Sequence, residues 1–248
     1  MKFKLCVLGC FLASVATIYF VSIDAYVYTA VMQFVFKLLL LYAFLLHRKV
    51  EKRTTFYLFL SLLLITDILA YFVAEVNFFF VVPMGVLFFA CYVLLIRDAY
   101  KQFKVQDARN VFGFYYLFVI LVNGALLTLH LVNLYGYLED QILMYVGQIF
   151  YNVILYIIIV VSIAYYLNSY SKKSMYFLIG TLCFVGSDIL ASALLFYNIE
   201  QNIVSFHTFL SMIGYVFFFN YFFIKEEPLM IESEILKELA ERKAASKV

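Results

Sequence analysis

The stretch "TTFYLFLSLLLITDILAYFVA", residues 54–74, is long and apolar enough to cross a bilayer, yet it carries an aspartate, Asp67, deep inside it. A helical span needs about 20 predominantly apolar residues. Similar letters return in "SDILA", residues 187–191, where Asp188 again lies within an apolar run. Because a charged group in hydrocarbon is costly, such residues usually face a bundle interior or a cavity. The two aspartates are therefore the first candidates for a functional site.

The composition is that of a membrane protein. The 248 residues are 66% hydrophobic and only 14% charged, whereas soluble domains are about half apolar and about a quarter charged. The four cysteines, Cys6, Cys10, Cys91 and Cys183, all lie in apolar runs. Their spacing indicates neither a disulfide framework nor a zinc site.

The apolar runs predict an all-α fold, a polytopic membrane bundle of eight transmembrane helices, because continuous runs of this length cross lipid as helices. The predicted spans are 5–23, 27–46, 54–74, 78–96, 111–134, 141–168, 174–198 and 203–224. They form a single transmembrane domain, 1–225, followed by a charged tail, 226–248. The first run partly resembles a signal peptide, but no small-residue cleavage site follows it, which favours an uncleaved span.

Basic residues are confined to alternate connections. Of the 18 Lys and Arg residues, 17 lie in the N-terminus, after an even-numbered span or in the tail. The exception is Lys37, in span 2. By the positive-inside rule both termini are predicted to be cytoplasmic, in a plasma or inner cell membrane. The tail carries apolar residues at helical spacing, so it is either a short surface helix or a solvated end.

The two aspartate motifs also suggest an internal repeat. Asp67 lies on span 3 and Asp188 on span 7, which run in the same direction and are separated by three other spans. A parallel duplication of four helices plus four would produce this arrangement.

Further polar residues are predicted to lie at a similar depth. At 1.5 Å per residue, both acids lie about 20 Å from the cytoplasmic ends of their helices. The other polar residues of this layer are Lys37, Asn123, Gln148, Asn152 and Tyr215. In one interpretation they are structural, with Lys37 pairing one acid and the amides forming interhelical hydrogen bonds. One lysine cannot neutralise two carboxylates, however, and a pair of unequal acids suits general acid–base catalysis.

Other chemistries have no support in the sequence. It contains no P-loop, no glycine-rich dinucleotide motif, no HExxH and no GxSxG. The three histidines are scattered, so no metal site is predicted, and no cofactor is expected. The basic loops are too short for a nucleic-acid interface. The predicted partners are membrane lipids, and the oligomeric state is not indicated.

Four stretches carry a family resemblance: "GTLCFVGSDILASALLFYN", 180–198, "YLFLSLLLITDILAYF", 57–72, "FKLLLLYAFLL", 36–46, and "YNVILYIIIVVSIAYY", 151–166. They resemble the YhhN family of multi-spanning membrane proteins, which includes the lysoplasmalogenases. The first looks like the family's Ser-Asp signature, and the last fits the helix before it. "YLFLSLLLITDILAYF", 57–72, is similar to its Gly-Asp motif, with Thr66 in place of Gly. "FKLLLLYAFLL", 36–46, resembles its Lys-Pro-Leu segment, with Leu38 in place of Pro. The family's histidine in span 4 has no counterpart in "MGVLFFACYVLL", 84–95.

The resemblance implies hydrolysis of the vinyl-ether bond of a lysoplasmalogen, giving a fatty aldehyde and a glycerophospho-ethanolamine or -choline. Asp67 and Asp188 would be the acid–base pair, and either could be the proton donor. A Tyr and an amide of the family's last span are similar to Tyr215 and Asn220, which join the substrate-binding candidates Lys37, Asn123, Gln148 and Asn152.

Three alternatives remain at this point. A transporter would use the buried acids as a proton relay. An intramembrane aspartyl protease also uses two acids, but its usual Gly-x-Gly-Asp context is absent. The third is a non-catalytic member of the same family.

Overall fold

The computed structural model describes residues 2–23, 25–46, 53–75, 81–102, 113–139, 142–169, 171–197 and 201–224. These residues form eight α-helices, which confirms the all-α prediction: α1 (Lys2–Ser22), α2 (Tyr26–Leu46), α3 (Arg53–Glu75), α4 (Val81–Gln102), α5 (Gly113–Leu138), α6 (Ile142–Ser169), α7 (Lys172–Tyr197) and α8 (Gln201–Phe223). The predicted tail, 226–248, lies outside the described residues.

The helices have the length and hydropathy of membrane spans. Within the described residues, seven are long and apolar enough to cross a bilayer, and α3 contributes a shorter apolar stretch, Thr54–Leu69. The protein is therefore a multi-pass membrane protein. The eighth crossing, by α3, stays a prediction.

Seven of the helices form a closed ring. In the described residues the order around it is α1, α2, α3, α4, α6, α7 and α8, and α8 packs back against α1. The rings of Phe3 on α1 and Phe223 on α8, 6.2 Å apart, belong to this closing contact. Helix α5 lies outside the ring, against α6.

Successive helices run in opposite directions. Phe44 near the end of α2 stacks on Phe56 near the start of α3, with ring centroids 4.0 Å apart. We call the end of the bundle where α3 begins the basic end, because Arg97, Lys101 and Lys172 lie there. The other end is called the opposite end.

The predicted four-plus-four repeat is not confirmed. Such a repeat would make α1 equivalent to α5. Among the described residues, α1 belongs to the ring and packs on both α2 and α8, whereas α5 packs on α6 outside it. The contacts between successive helices match within the two halves, but those that close the ring, α1 on α8 and α4 on α6, do not follow the repeat.

Close packing within the ring depends on small residues and aromatic rings. A Cβ atom on Gly214 of α8 would lie only 2.8 Å from Cε2 of Phe184 on α7. Because lipid is as apolar as the helix surfaces, helices associate in membranes largely through such close packing. Gly214 therefore allows α7 and α8 to approach.

Helix α5 is attached differently, through tyrosine hydroxyls on α6. Tyr145 donates to the backbone oxygen of Leu131 at 3.3 Å, and Tyr156 donates to that of Ile120 at 3.2 Å. The tyrosines are eleven residues apart and so are the acceptors, which corresponds to about three helical turns. A mid-helix carbonyl can accept a second bond because it has two lone pairs.

Candidate functional site

Polar side chains from six of the seven ring helices form two clusters in the described part of the bundle. We call the first the lysine cluster (Lys37 of α2, Asp67 of α3 and Tyr215 of α8). We call the second the tyrosine cluster (Tyr92 of α4, Tyr151 of α6 and Asp188 of α7). The ring brings these residues together from positions up to 178 apart in the sequence, 37 to 215.

The lysine cluster is built on a two-oxygen ion pair. Nζ of Lys37 lies 2.5 Å from Oδ1 and 2.6 Å from Oδ2 of Asp67. The same Nζ lies 4.9 Å from the centroid of the Tyr215 ring, within the range of a cation–π contact. A buried ammonium needs such partners, because removal from water disfavours its charge. Lys37 therefore has the structural partner that the sequence predicted for it.

The two members of this pair differ in exposure. The Lys37 side chain retains 6% of its accessible surface and the Asp67 side chain 20%. The carboxylate is therefore the less enclosed member of the ion pair.

The tyrosine cluster surrounds the second acid with hydroxyl donors. Tyr92 and Tyr151 both donate to Oδ2 of Asp188, the latter at 2.5 Å. Their rings are 6.3 Å apart and inclined at 63°, an edge-to-face arrangement. Among the described residues no Lys or Arg forms an ion pair with Asp188. The hydrogen bonds of this acid in the described structure therefore come from neutral phenols.

The two acids lie at a similar depth. Helices α3 and α7 run in the same direction, and α8 runs opposite to both. Phe59 of α3 packs on Phe222 of α8 at 6.2 Å, whereas Phe184 of α7 packs on Tyr215 of α8 at 4.7 Å, so Phe59 lies nearer the basic end. Asp67 follows Phe59 by eight residues and Asp188 follows Phe184 by only four, and the additional turn on α3 offsets this difference. The expectation of a common depth holds to within about one turn.

Aromatic packing connects the two clusters. The rings of Phe184 and Tyr215 are 4.7 Å apart and nearly perpendicular, at 82°. Phe184 is one turn before Asp188 on α7, and Tyr215 belongs to the lysine cluster. The seam between α7 and α8 therefore fixes the position of one cluster relative to the other.

A serine and a histidine beside Asp188 form a bond that argues against a serine nucleophile. Nδ1 of His207 lies 2.8 Å from the backbone oxygen of Ser187 and 2.8 Å from its Oγ. A carbonyl oxygen can only accept, so Nδ1 carries the proton in this geometry. The nitrogen beside the serine hydroxyl is therefore a donor and cannot act as its base.

Three of the predicted binding amides bond within their own helices. Each donates to the backbone oxygen four residues earlier, with the pairs Asn123 to Val119, Asn152 to Gln148 and Asn220 to Val216. The side-chain N–H groups of Asn123 and Asn152 therefore bond within their helices in the described structure, and not between helices as the sequence predicted. Asn123 also lies on α5, outside the ring.

Gln148 has a different environment. Its Oε1 is buried and has no hydrogen-bond partner in the part of the chain that the structure describes. It lies one turn before Asn152 on α6. Of the six predicted binding residues, only Lys37 and Tyr215 lie in one of the two clusters.

Sequence reasoning missed Tyr92 and Tyr151. Tyr92 lies in the same stretch of span 4 where the YhhN resemblance leads one to expect a histidine. The chain has 22 tyrosines, so neither residue is distinguished by type, and both lie on apolar spans where a phenol is unremarkable. Only the fold reveals that both hydroxyls meet one carboxylate.

Within the described residues no group of three or more His, Cys, Asp and Glu side chains is arranged to hold a metal ion. The chain matches no family model, no curated protein and no solved structure. The YhhN resemblance of residues 36–46, 57–72, 151–166 and 180–198 therefore stays a prediction from those stretches alone.

Proposed function

We propose that this protein is a membrane hydrolase that cleaves the vinyl-ether bond of lysoplasmalogens, releasing a fatty aldehyde and glycerophospho-ethanolamine or -choline. The observation that supports it is the pair of unlike acids in one helical ring. Asp188 is bonded by two phenols, and Asp67 is paired with Lys37. Acid and base roles are separated in enzymes by giving similar groups such different environments.

Asp188 is the proton donor in this proposal. Its carboxylic acid protonates the alkene carbon that is not bonded to oxygen, which creates an oxocarbenium ion at the adjacent carbon. The Tyr92 and Tyr151 hydroxyls then stabilise the carboxylate that forms, because hydrogen bonds to an ionised acceptor are stronger than those to a neutral one.

Asp67 is the base that activates water. The ammonium of Lys37 favours its ionised form, and the Asp67 side chain is the less enclosed of the pair, with 20% of its accessible surface retained. The water adds to the oxocarbenium carbon and gives one proton to Asp67. The hemiacetal collapses to aldehyde and alcohol as its hydroxyl loses a proton and the departing oxygen gains one. Transfer of the proton from Asp67 back to Asp188 then restores both groups, so the cycle consumes only water.

A single-chain lysolipid suits this location. Both acids lie toward the opposite end of the bundle, and the vinyl ether of a lysolipid lies just below its headgroup. Lys37 and Tyr215 are the predicted binding residues nearest to the proposed chemistry. Burial of the reacting bond among apolar side chains also strengthens electrostatic interactions with the developing charge.

The orientation forms part of the proposal. We place both termini in the cytoplasm, with eight crossings of a plasma or inner cell membrane, on the basis of the basic connections. Externally added thiol reagent should label Glu139→Cys, which lies at the opposite end, and should not label Lys172→Cys. The reverse pattern would invert the orientation, and labelling of both would contradict the number of spans.

The substrate test uses purified protein with matched alkenyl, alkyl and acyl lysolipids. Aldehyde should appear only from the alkenyl lipid, since only a vinyl ether can be protonated to an oxocarbenium ion. Ser187→Ala is the matched control and should retain aldehyde release. Equal release of fatty acid from the acyl lipid, lost in Ser187→Ala, would instead show a serine esterase.

A proton-coupled transporter is the second candidate. The presence of two buried acids on different helices favours it, because intramembrane carboxylates form proton relays in pumps and transporters. Uptake of a labelled solute into proteoliposomes, driven by a pH gradient and without lipid turnover, would support this function. A family member without catalysis would show neither activity.

A further inference from the structure

A cavity of about 190 Å³ lies at the basic end, between the start of α3 and the end of α4. It is lined by Thr54, Thr55, Leu58, Leu94, Arg97, Asp98 and Lys101. Thr54 precedes Asp67 by thirteen residues, about 20 Å along the helix. The cavity is therefore remote from both acid clusters, and the proposed hydrolysis makes no use of it.

The polar part of the lining favours an anion. Arg97 and Lys101 are four residues apart on α4, so they lie on one face of it, and both are exposed. Thr54 and Thr55 add two hydroxyl donors. They also belong to the first turn of α3, whose backbone N–H groups have no partner within the helix. Two cations and several N–H and O–H donors therefore surround the same space.

Asp98 is the single acid among the lining residues, and it is engaged elsewhere. Its Oδ2 accepts a hydrogen bond from the Tyr221 hydroxyl of α8 at 2.7 Å, and the residue is buried. Nζ of Lys173 lies 5.2 Å from the ring of the same tyrosine. One carboxylate oxygen of Asp98 is thus bonded within the bundle, whereas Arg97 and Lys101 are exposed at the cavity.

The apolar part of the lining indicates a lipid. Leu58 is one turn after Thr54, and Leu94 is one turn before Asp98, so both lie deeper in the membrane than the polar residues. Leu58 is 49% exposed, which leaves an apolar surface next to the cavity. A free phosphate ion would make no favourable contact with this apolar surface. A phospholipid has its phosphate near the membrane surface and its acyl chains deeper, which is the order of the polar and apolar lining residues.

We infer that this cavity binds the phosphate headgroup of an anionic phospholipid, with the acyl chains lying along Leu58. Arg97 and Lys101 contact the phosphate, and the two threonine hydroxyls donate to its oxygens. Basic pockets between membrane helices are known lipid-headgroup sites in general. The inference does not depend on the proposed hydrolysis.

The test measures the unfolding temperature of the full-length protein in detergent against increasing dihexanoyl phosphatidic acid. The wild type should show a saturable rise, and equal concentrations of dihexanoyl phosphatidylcholine or inorganic phosphate should not produce it. In Arg97→Gln/Lys101→Gln the half-maximal concentration should rise about tenfold or more, since hydrogen bonds to charged groups are lost. Lys101→Gln alone, at the exposed end of α4, should give a smaller rise and replaces the double variant if that does not fold.

The matched control is Lys4→Gln/Lys172→Gln, which removes two exposed cations outside the cavity. It should bind as the wild type does. An equal loss in both double variants would show diffuse charge attraction and overturn the inference. An equal response to inorganic phosphate would show a free-anion site, and an equal response to phosphatidylcholine would show binding without charge selection; either result would overturn it as well.

Discussion

Asp67 and Asp188 begin the same four letters, DILA, but they have different partners. Asp67 is paired through both oxygens with Lys37, whereas Asp188 accepts bonds from the hydroxyls of Tyr92 and Tyr151. The cause is the neighbouring helices. Helix α3 packs against α2, which carries the lysine, and α7 packs against α6, which carries Tyr151. The local motif therefore does not determine the environment of its acid.

The difference has a chemical meaning. Neutralising one member of the Lys37–Asp67 ion pair would leave the other charge buried without its partner. Asp188 can gain or lose a proton without breaking an ion pair among the described residues, because its hydrogen-bond partners are phenols. Asp188 is therefore assigned the role of proton donor and Asp67 the role of ionised base, and the following variants test that assignment.

The largest expected effect is on catalysis. Asp188→Asn should lower aldehyde release about 1,000-fold, the scale of a lost general acid, because an amide has no acidic proton that it can transfer to carbon. The amide oxygen still accepts the tyrosine bonds, so the unfolding temperature should change little. Aldehyde release per folded molecule above a tenth of the wild-type rate would contradict the proton-transfer role.

The second effect is on stability. Lys37→Met should lower the free energy of unfolding by about 3 kcal/mol, because breaking a buried ion pair leaves one charge uncompensated. Lys37→Met/Asp67→Leu should recover most of this loss, since both charges are then absent. Denaturant titration in detergent measures all three proteins. Lys172→Met, at an exposed helix end, is the control, and additive losses in the double variant would contradict the pairing.

The third effect concerns the seam between the clusters. Gly214→Ala places a Cβ atom against the Phe184 ring and should destabilise the fold by about 2 kcal/mol through overpacking. Gly124→Ala on α5 has no atom within 4 Å of its new Cβ. It should be neutral or stabilise slightly, because Ala favours a helix over Gly by up to about 1 kcal/mol. Equal responses would mean that α7 and α8 do not pack this closely.

The smallest effect isolates the phenols. Tyr92→Phe and Tyr151→Phe should each lower turnover about tenfold, the scale of one hydrogen bond to a charged group, while the ring packing is retained. Tyr100→Phe is the control on α4, because that side chain is 72% exposed. Unchanged turnover in both variants would remove the two hydroxyls from the proposed mechanism.

Hydropathy predicted the helices well but not their arrangement. The span predicted at 54–74 appears as α3, Arg53–Glu75, and that at 27–46 as α2, Tyr26–Leu46. The position of α5 outside the ring could not be predicted, because its composition resembles that of the ring helices. Lipid is apolar on every side, so hydrophobicity does not distinguish a central helix from a peripheral one.

The candidate site was predicted only in part. A single lysine among apolar spans is expected to pair with an acid, but the sequence does not show with which acid. Amides were weaker predictors, because Asn152 can satisfy its own donor through Gln148 one turn away. Such local bonding competes with contacts between helices, and one sequence does not reveal which of them prevails.

The positions of the lysine-cluster residues along the chain have a consequence for biosynthesis. A ribosome delivers helices to the membrane in chain order. Lys37 and Asp67 are thirty residues apart and lie on consecutive helices, so their ion pair can form as soon as α3 has entered the membrane. Neither charge then remains isolated in the lipid. Tyr215, in contrast, arrives on α8, the last of the described helices. The lysine cluster is therefore incomplete until α8 is in place.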